Sequence, residues 1–260
     1  MRCLSTASTG MLAQQTNVDT ISHNIANMNT TGFKRQRAEF QDLLYQNVSR
    51  PGASTGPDTK VPTGIQIGLG VKTGGIYRIN EQGALQQTDN RYDLGIQGRG
   101  YFQVTMPSGE TAYTRDGAFQ LSDQGEIVTP DGYPVQPGIT VPQDAVDVSI
   151  SKTGQVQIKT AGAPEMQTVG QLQLATFVNE AGLEAQGGNL FLETASSGQA
   201  TVASPGDPGL GTLQQGFVEA SNVNPVAEIT ALITAQRAYE MNSRVVKTAD
   251  EMLSTTSQLR

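Results

Sequence analysis

The feature that most limits what this 260-residue chain can fold into is a matched pair of narrow apolar stripes, one at each end. Leu4, Met11, Val18 and Ile25 recur every seven positions, and Ala7, Gln14, Ile21 and Met28 form a companion row. Together they give residues 1–28 the 3-4 alternation of a coiled-coil seam, interrupted only at Gln14. The stretch has no proline and a single glycine, Gly10, so it is expected to stay helical. Asn27, Asn29 and Gly32 then supply residues that tolerate the left-handed turn ending a helix. At the other end Asn224 can cap a helix and Pro225 can open it. Beyond them Leu232, Ala235, Tyr239, Asn242, Val246, Ala249, Leu253 and Thr256 share one stripe, with no glycine and no further proline to Arg260. At 1.5 Å per residue the two segments predict rods of about 40 and 50 Å.

Each stripe is too thin and too polar to hold an isolated helix, so packing must supply the stability. The helices can cover one core of a globular fold, or they can pair with each other and with neighbouring chains. The seven-residue repeat favours the second arrangement, because a helix lying on a sheet shows a broader apolar face.

The middle of the chain is different in kind. Turn signals such as Pro107-Ser108-Gly109, Asp116-Gly117, Pro130-Asp131-Gly132 and Gly187-Gly188-Asn189 punctuate residues 90–200. Between turns lie short runs with strand character, among them Tyr101-Phe102-Gln103-Val104, Gln155-Val156-Gln157-Ile158 and Gln171-Leu172-Gln173-Leu174. Residues 47–75, rich in Gly, Pro, Ser and Thr, are too polar for a core and long for a plain connection. The expected fold is therefore α+β: coiled-coil-like terminal helices packed together, an inserted all-β domain and an extended β or loop excursion. The expected segments are an N-terminal helix over 1–30, a linker and β-hairpin excursion over 31–75, a β-rich outer domain over 76–210, and a C-terminal helix completing the inner helical domain over 211–260.

Chemistry is scarce. With one cysteine, one histidine and no tryptophan, the chain supports neither an internal disulfide nor a Cys/His zinc site. His23 lies inside the first helix, away from any pocket that a general base requires. Lone Cys3 reads as a packing residue. The glycines of Gly95-Ile96-Gln97-Gly98-Arg99-Gly100 lead into a strand instead of a helix, so they read as a tight turn and not a phosphate loop. Asp116, Asp123 and Asp131 each lie within two residues of a glycine, where turn chemistry explains them. No catalytic, cofactor or metal site is expected. A net charge of −7 disfavours nucleic acid. The compact basic group Lys34, Arg35 and Arg37 reads as a solvated face, with Arg35 and Glu39 at helix-neighbour spacing if that stretch is helical. Neither a secretory apolar core nor a run of about twenty apolar residues is present. That implies a cytoplasmic chain unless an export route reads an uncleaved N-terminus.

The run Asn17-Val18-Asp19-Thr20-Ile21-Ser22-His23-Asn24-Ile25-Ala26-Asn27-Met28-Asn29-Thr30-Thr31-Gly32-Phe33-Lys34-Arg35 closely resembles the N-terminal signature of the bacterial flagellar rod and hook proteins. The segment Glu219-Ala220-Ser221-Asn222-Val223-Asn224-Pro225-Val226-Ala227-Glu228 and its continuation through Gln236-Arg237-Ala238-Tyr239 are similar to that family's other end. Further matches include Ile96-Gln97-Gly98-Arg99-Gly100-Tyr101-Phe102, Tyr113-Thr114-Arg115-Asp116-Gly117 and Val169-Gly170-Gln171-Leu172. The length and the 40–68 segment look most like the distal-rod branch of the family. A proximal rod or hook subunit is the nearest alternative, although hook subunits carry an extra outer β domain. A secreted β-rich glycan-binding protein, from a different class, leaves both helical ends unexplained.

The resemblance implies a structural subunit, not an enzyme. It implies a periplasmic rod of the flagellar basal body, reached through the flagellar type III export apparatus without a cleaved signal, and polymerisation into a hollow helical tube. The implied partners are other copies of the chain, proximal rod proteins, the hook protein, and the P and L rings as a bushing, with no nucleic acid and no membrane insertion. On this reading Leu4, Met11, Val18, Ile21, Ile25 and Met28 form the N-terminal assembly seam. Leu232, Ala235, Tyr239, Val246, Ala249 and Leu253 form the C-terminal one. Asn24, Asn27, Thr31, Gly32 and Phe33, with Ser221, Asn222, Val223 and Asn224, are the family-motif residues. Residues 40–70 are expected to wedge between stacked subunits.

Overall fold

The computed structural model describes residues 2–49, 63–160 and 165–258. Its elements fall into two compact units. One unit comprises Met1–Ala26, Gln36–Tyr77 and Asn224–Arg260; the other comprises Asn27–Arg35 and Arg78–Val223. The chain therefore passes between units four times, at 26/27, 35/36, 77/78 and 223/224.

In the first unit, helix α1 spans Arg2–Ala26 and helix α2 spans Pro225–Gln258. They pack together and run antiparallel: Asn24 bonds Glu228, and Gly10 lies against Asn242. The absence of a Cβ at Gly10 permits that approach, since an added carbon would sit 3.0 Å from Asn242 Nδ2. Asn224 caps α2 as its sequence position predicts, its Oδ1 accepting from the Val226 and Ala227 N–H groups at 3.1 and 3.3 Å. α1 ends at Ala26, so Met28 lies beyond the helix and outside this unit.

The rest of the first unit is a β-ribbon. Gln36–Asp42 pairs with Val71–Arg78, and Tyr45–Ser49 pairs antiparallel with Ile65–Gly68. Leu43 N–H to Gly70 O (2.8 Å) and Leu69 N–H to Leu44 O (3.2 Å) continue the ladder between them. The ribbon docks on α1 where Gly70 adopts φ +124°: a Cβ there would meet Thr9 Oγ1, and that hydroxyl accepts from the Val71 N–H. The helical spacing considered for Arg35 and Glu39 is thus replaced by a strand, as β-branching is not needed when a partner strand supplies the ladder. Of the excursion over 47–75, residues 50–62 lie outside the described residues.

The second unit is all-β. A six-stranded sheet has the order Glu184–Gly187, Leu190–Leu192, Thr111–Thr114, Tyr101–Thr105, Leu174–Thr176, Thr201–Ala203. A three-stranded antiparallel sheet is built from Ala145–Ile150, Gln155–Thr160 and Gln167–Gln171. Alternation along the six-stranded sheet sends side chains to two cores. Phe102, Val104, Ala112 and Leu174 join the larger one, where Phe102 meets Phe119 edge-to-face at 5.0 Å. Tyr101, Tyr113 and Ala175 face a smaller cluster closed by Phe177 and Leu183. Thr212–Gln215 and Phe217–Glu219 are strands of this unit, paired with Leu94–Gln97 and Leu85–Gln87. The region expected to complete the helical domain from 211 therefore begins with strands, and the helix starts only at Pro225.

Candidate assembly surfaces

The first unit places α2's sequence stripe against α1. Ala235 and Ala249 are buried, and Leu232, Asn242, Val246 and Leu253 are half-buried. Tyr239 departs from the stripe at 44% exposure. On α1 the face turned to its partner is centred differently. Ala7, Ala13, Thr20, Ile21 and Asn24 are buried, whereas Leu4, Met11, Val18 and Ile25 are half-covered along its edge. Of the seam read from the sequence, Ala7 and Ile21 are buried, Leu4, Met11, Val18 and Ile25 flank them, and Met28 is exposed.

More apolar surface remains on α2. Val226, Ile229, Ile233, Met241, Val245 and Met252 are all exposed, Val226 at 75%. At 100° per residue Val226, Ile233 and Met241 lie on the side away from Ala235, whereas Ile229, Val245 and Met252 flank the row Leu232, Ala235, Val246, Ala249. A shallow groove of about 770 Å³ opens beside α2, lined by Gln14 and Asn17 of α1 and by Ala227, Ala231, Thr234 and Ala238 of α2. The ribbon shows the same character: Leu44, Tyr45, Val48, Ile65 and Ile67 are exposed.

The motif residues divide between the units. Asn24, 1% exposed, joins three elements of the first: Nδ2 donates to Gln36 O (2.8 Å) and Glu228 Oε2 (3.1 Å), and Oδ1 accepts from the Gln36 N–H (2.8 Å). In the second unit, Asn27 and Phe33 bracket a turn held by Thr30 N–H to Asn27 O and Phe33 N–H to Thr30 O, with Thr31 half-buried inside it. Gly32 has φ +67°, and a Cβ would lie 2.9 Å from the Arg115 backbone. Ser221 accepts from the Val223 N–H, and Val223 is buried. Asn222 Oδ1 accepts from the Arg35 N–H (2.7 Å), while its Nδ2 donates to Ile79 O (2.9 Å) and Glu81 O (3.0 Å).

The sequence reading missed the charged centre of this second unit. Lys34, read as part of a solvated basic face, is 5% exposed. It is buried beside Glu219 and Arg115, which are 1% and 6% exposed. Lys34 Nζ donates to Glu219 Oε1 (2.6 Å) and Glu81 O (2.8 Å); Arg115 Nε donates to Glu219 Oε2 (2.6 Å). Arg115 also donates to the carbonyls of Gly98 and Gly100, so the glycine-rich turn serves a guanidinium. Burial pushes the Glu219 carboxyl up, but the two cations outweigh it and hold it below the usual carboxylate range. Burial, then Arg115, pushes the Lys34 ammonium down. No spacing rule links residues 34, 115 and 219, and only a charge flanked by Phe217-Val218 and Ala220 hinted at it.

Nothing among the described residues forms a cluster of three or more His, Cys, Asp or Glu able to hold a metal, and no helix there is long and apolar enough to cross a membrane. His23 is exposed on α1 and Cys3 is exposed near its start.

Three family models match the chain: flagella basal body rod protein over residues 4–34, the flagellar hook protein FlgE/F/G D1 domain over 95–158, and the flagellar basal body rod FlgEFG protein C-terminal over 214–259. The chain is 65% identical to the flagellar basal-body rod protein FlgG of Caulobacter vibrioides across the full length of both. It is 51% identical to that of Agrobacterium fabrum over 99% of each chain. Against the Bacillus subtilis protein of the same name it is 41% identical over 100% of this chain and 99% of the relative.

Proposed function

The chain belongs to the flagellar basal-body rod protein family, of the FlgG type, and on that premise we propose that it builds the distal section of the rod. It is a structural, polymerising subunit and not an enzyme. In this reading copies stack into a rigid hollow helical tube, with α1 and α2 lining its inner wall. The tube continues the proximal rod, meets the hook protein at its far end, carries motor torque and encloses part of the export channel. It lies in the periplasm within the P and L rings, and its subunits arrive through the type III export apparatus.

The observation that supports this best is the exposed apolar surface of helix α2. One stripe is used on α1, and large apolar side chains on its flanks and far side, Val226, Ile229, Ile233, Met241 and Val245 among them, are exposed. A helix about 51 Å long with apolar groups beyond its intrachain stripe has one partner within its chain and room for neighbours along its length. The seam residues Leu4, Met11, Val18 and Ile25, half-covered at the edge of the helix pair, extend the same contact surface.

Electron microscopy of the concentrated full-length protein tests the reading. Straight hollow tubes with the subunit repeating along a helical path are expected. A protein that stays monomeric at every concentration, or closes into a small ring, would overturn it.

A further inference from the structure

Three of the four places where the chain passes between units emerge from the node around Glu219. The segment Asn27–Arg35 ends at the crossing 35/36, the chain re-enters at Arg78, and Val223 precedes the last crossing. Glu219 Oε1 accepts from Lys34 and from the Gly83 N–H (2.8 Å), and the Glu219 carbonyl accepts from the Gly32 N–H (2.8 Å). Asn222 adds the bonds to Arg35, Ile79 and Glu81, and the Ile79 N–H donates to Arg35 O at 2.8 Å. Arg115 fastens the same carboxylate to the Gly98–Gly100 turn and so to the strand that follows it.

A buried ion cluster is a poor device for stability alone, because well-packed apolar side chains of similar volume often do as well. What it supplies is cooperativity. Glu219 is the one anion among the three clustered charges, and losing it leaves two buried cations facing each other. Segments held only by their own ladder bonds open one at a time, whereas segments that share a single buried acceptor open together.

We propose that Glu219 is the centre of a load-bearing clamp: it ties the 27–35, 78–83 and 219–223 segments into one block. Force entering along the chain from the helical unit then meets that block before it can peel single edge strands of the β unit. The clamp stands on the contacts alone; its mechanical role rests on the rod reading above.

Hydrogen exchange on the full-length monomer tests the clamp in Glu219→Gln and in the milder Lys34→Met, which keeps the Arg115–Glu219 bond. In Glu219→Gln the amides of Gly32, Arg35, Ile79 and Gly83 are expected to exchange together about a hundred-fold faster, as for a broken buried pair. Peptides covering Gln155–Thr160 and Gln167–Gln171 should change by less than about two-fold. Lys34→Met should show the same pattern at smaller amplitude, and it carries the test alone if Glu219→Gln does not fold. Faster exchange confined to Gly83, a uniform increase across all sheets, or no common change in Lys34→Met overturns the clamp. Rods assembled from Lys34→Met are then expected to fail at lower viscous load than unmodified rods at equal rod number. Equal failure loads would overturn the mechanical role and leave the rod reading standing. That reading falls only if the unmodified protein forms no rod.

Discussion

Single side chains carry two kinds of work here. Asn24 and Asn222 are carboxamides used as connectors, each satisfying backbone groups on other segments from both its ends. Their chemistry explains why asparagine sits there, since a neutral group with donor and acceptor can bridge backbone without burying charge. Glu219 is the opposite case, a buried charge that needs its cations. Its carboxyl is held below the ordinary carboxylate range, so its contribution to stability is complete above that range and is lost as pH falls through the depressed value. Lys34, pushed down by burial and then by Arg115, is a cation the fold disfavours, so its share also rises with pH, on the alkaline side. Denaturant unfolding of the chain followed by circular dichroism should therefore show stability falling steeply below about pH 4, the ordinary range for an unfolded carboxylate. Glu219→Gln should be less stable at neutral pH and lose less on acidification. Parallel acid limbs for the two proteins would assign the acid sensitivity elsewhere.

Elements were legible in proportion to how periodic they are. The stripe Leu232, Ala235, Val246, Ala249, Leu253 placed α2's buried face, and Asn224-Pro225 placed its start, because both signals are local. On α1 the periodicity marked the helix and its buried Ala7 and Ile21, but centred the face on Leu4, Met11, Val18 and Ile25 and passed over Ala13, Thr20 and Asn24. Gly10, with no Cβ, sits where α2 comes near. Strand pairing was not legible: Leu190–Leu192 sits beside Thr111–Thr114 through contacts about eighty residues apart, which no window along the sequence contains. The node of Lys34, Arg115 and Glu219 was hidden for the same reason. The outward face of α2 gives a prediction at this scale. Ile229→Asp with Ile233→Asp replaces half-exposed groups, so the monomer's unfolding free energy should change by no more than about 0.5 kcal/mol for each. Tube formation should be abolished. Ala235→Leu, on the buried face, should do the reverse and weaken the monomer first, since overpacking costs about 1–3 kcal/mol. Tubes of normal length from the double aspartate variant would show that this face is not a contact.

At the scale of the whole molecule, a two-stranded ribbon built from residues 36–49 and 65–78 is marginal unless something covers it. Leu44 at 81% exposure shows how little its own chain does so. We propose that the ribbon wedges between stacked copies and limits bending. Deleting Gly52–Pro62, which lies outside the described residues, should leave a folded subunit whose polymer is curved or more compliant. Measured persistence lengths that match the unmodified tube would reject that role. The four passages between units have a consequence of another kind, for the order in which the chain can fold during synthesis. α1 waits for a partner that begins at Pro225, and the carboxylate that Lys34 and Arg115 require is residue 219. Neither unit is closed until the segment from Glu219 onward has been made. A nascent chain of this design can complete neither fold before then, and long-range closure of this sort is slow. The topology itself therefore keeps the newly made subunit open for longer than a protein of two consecutive domains would remain.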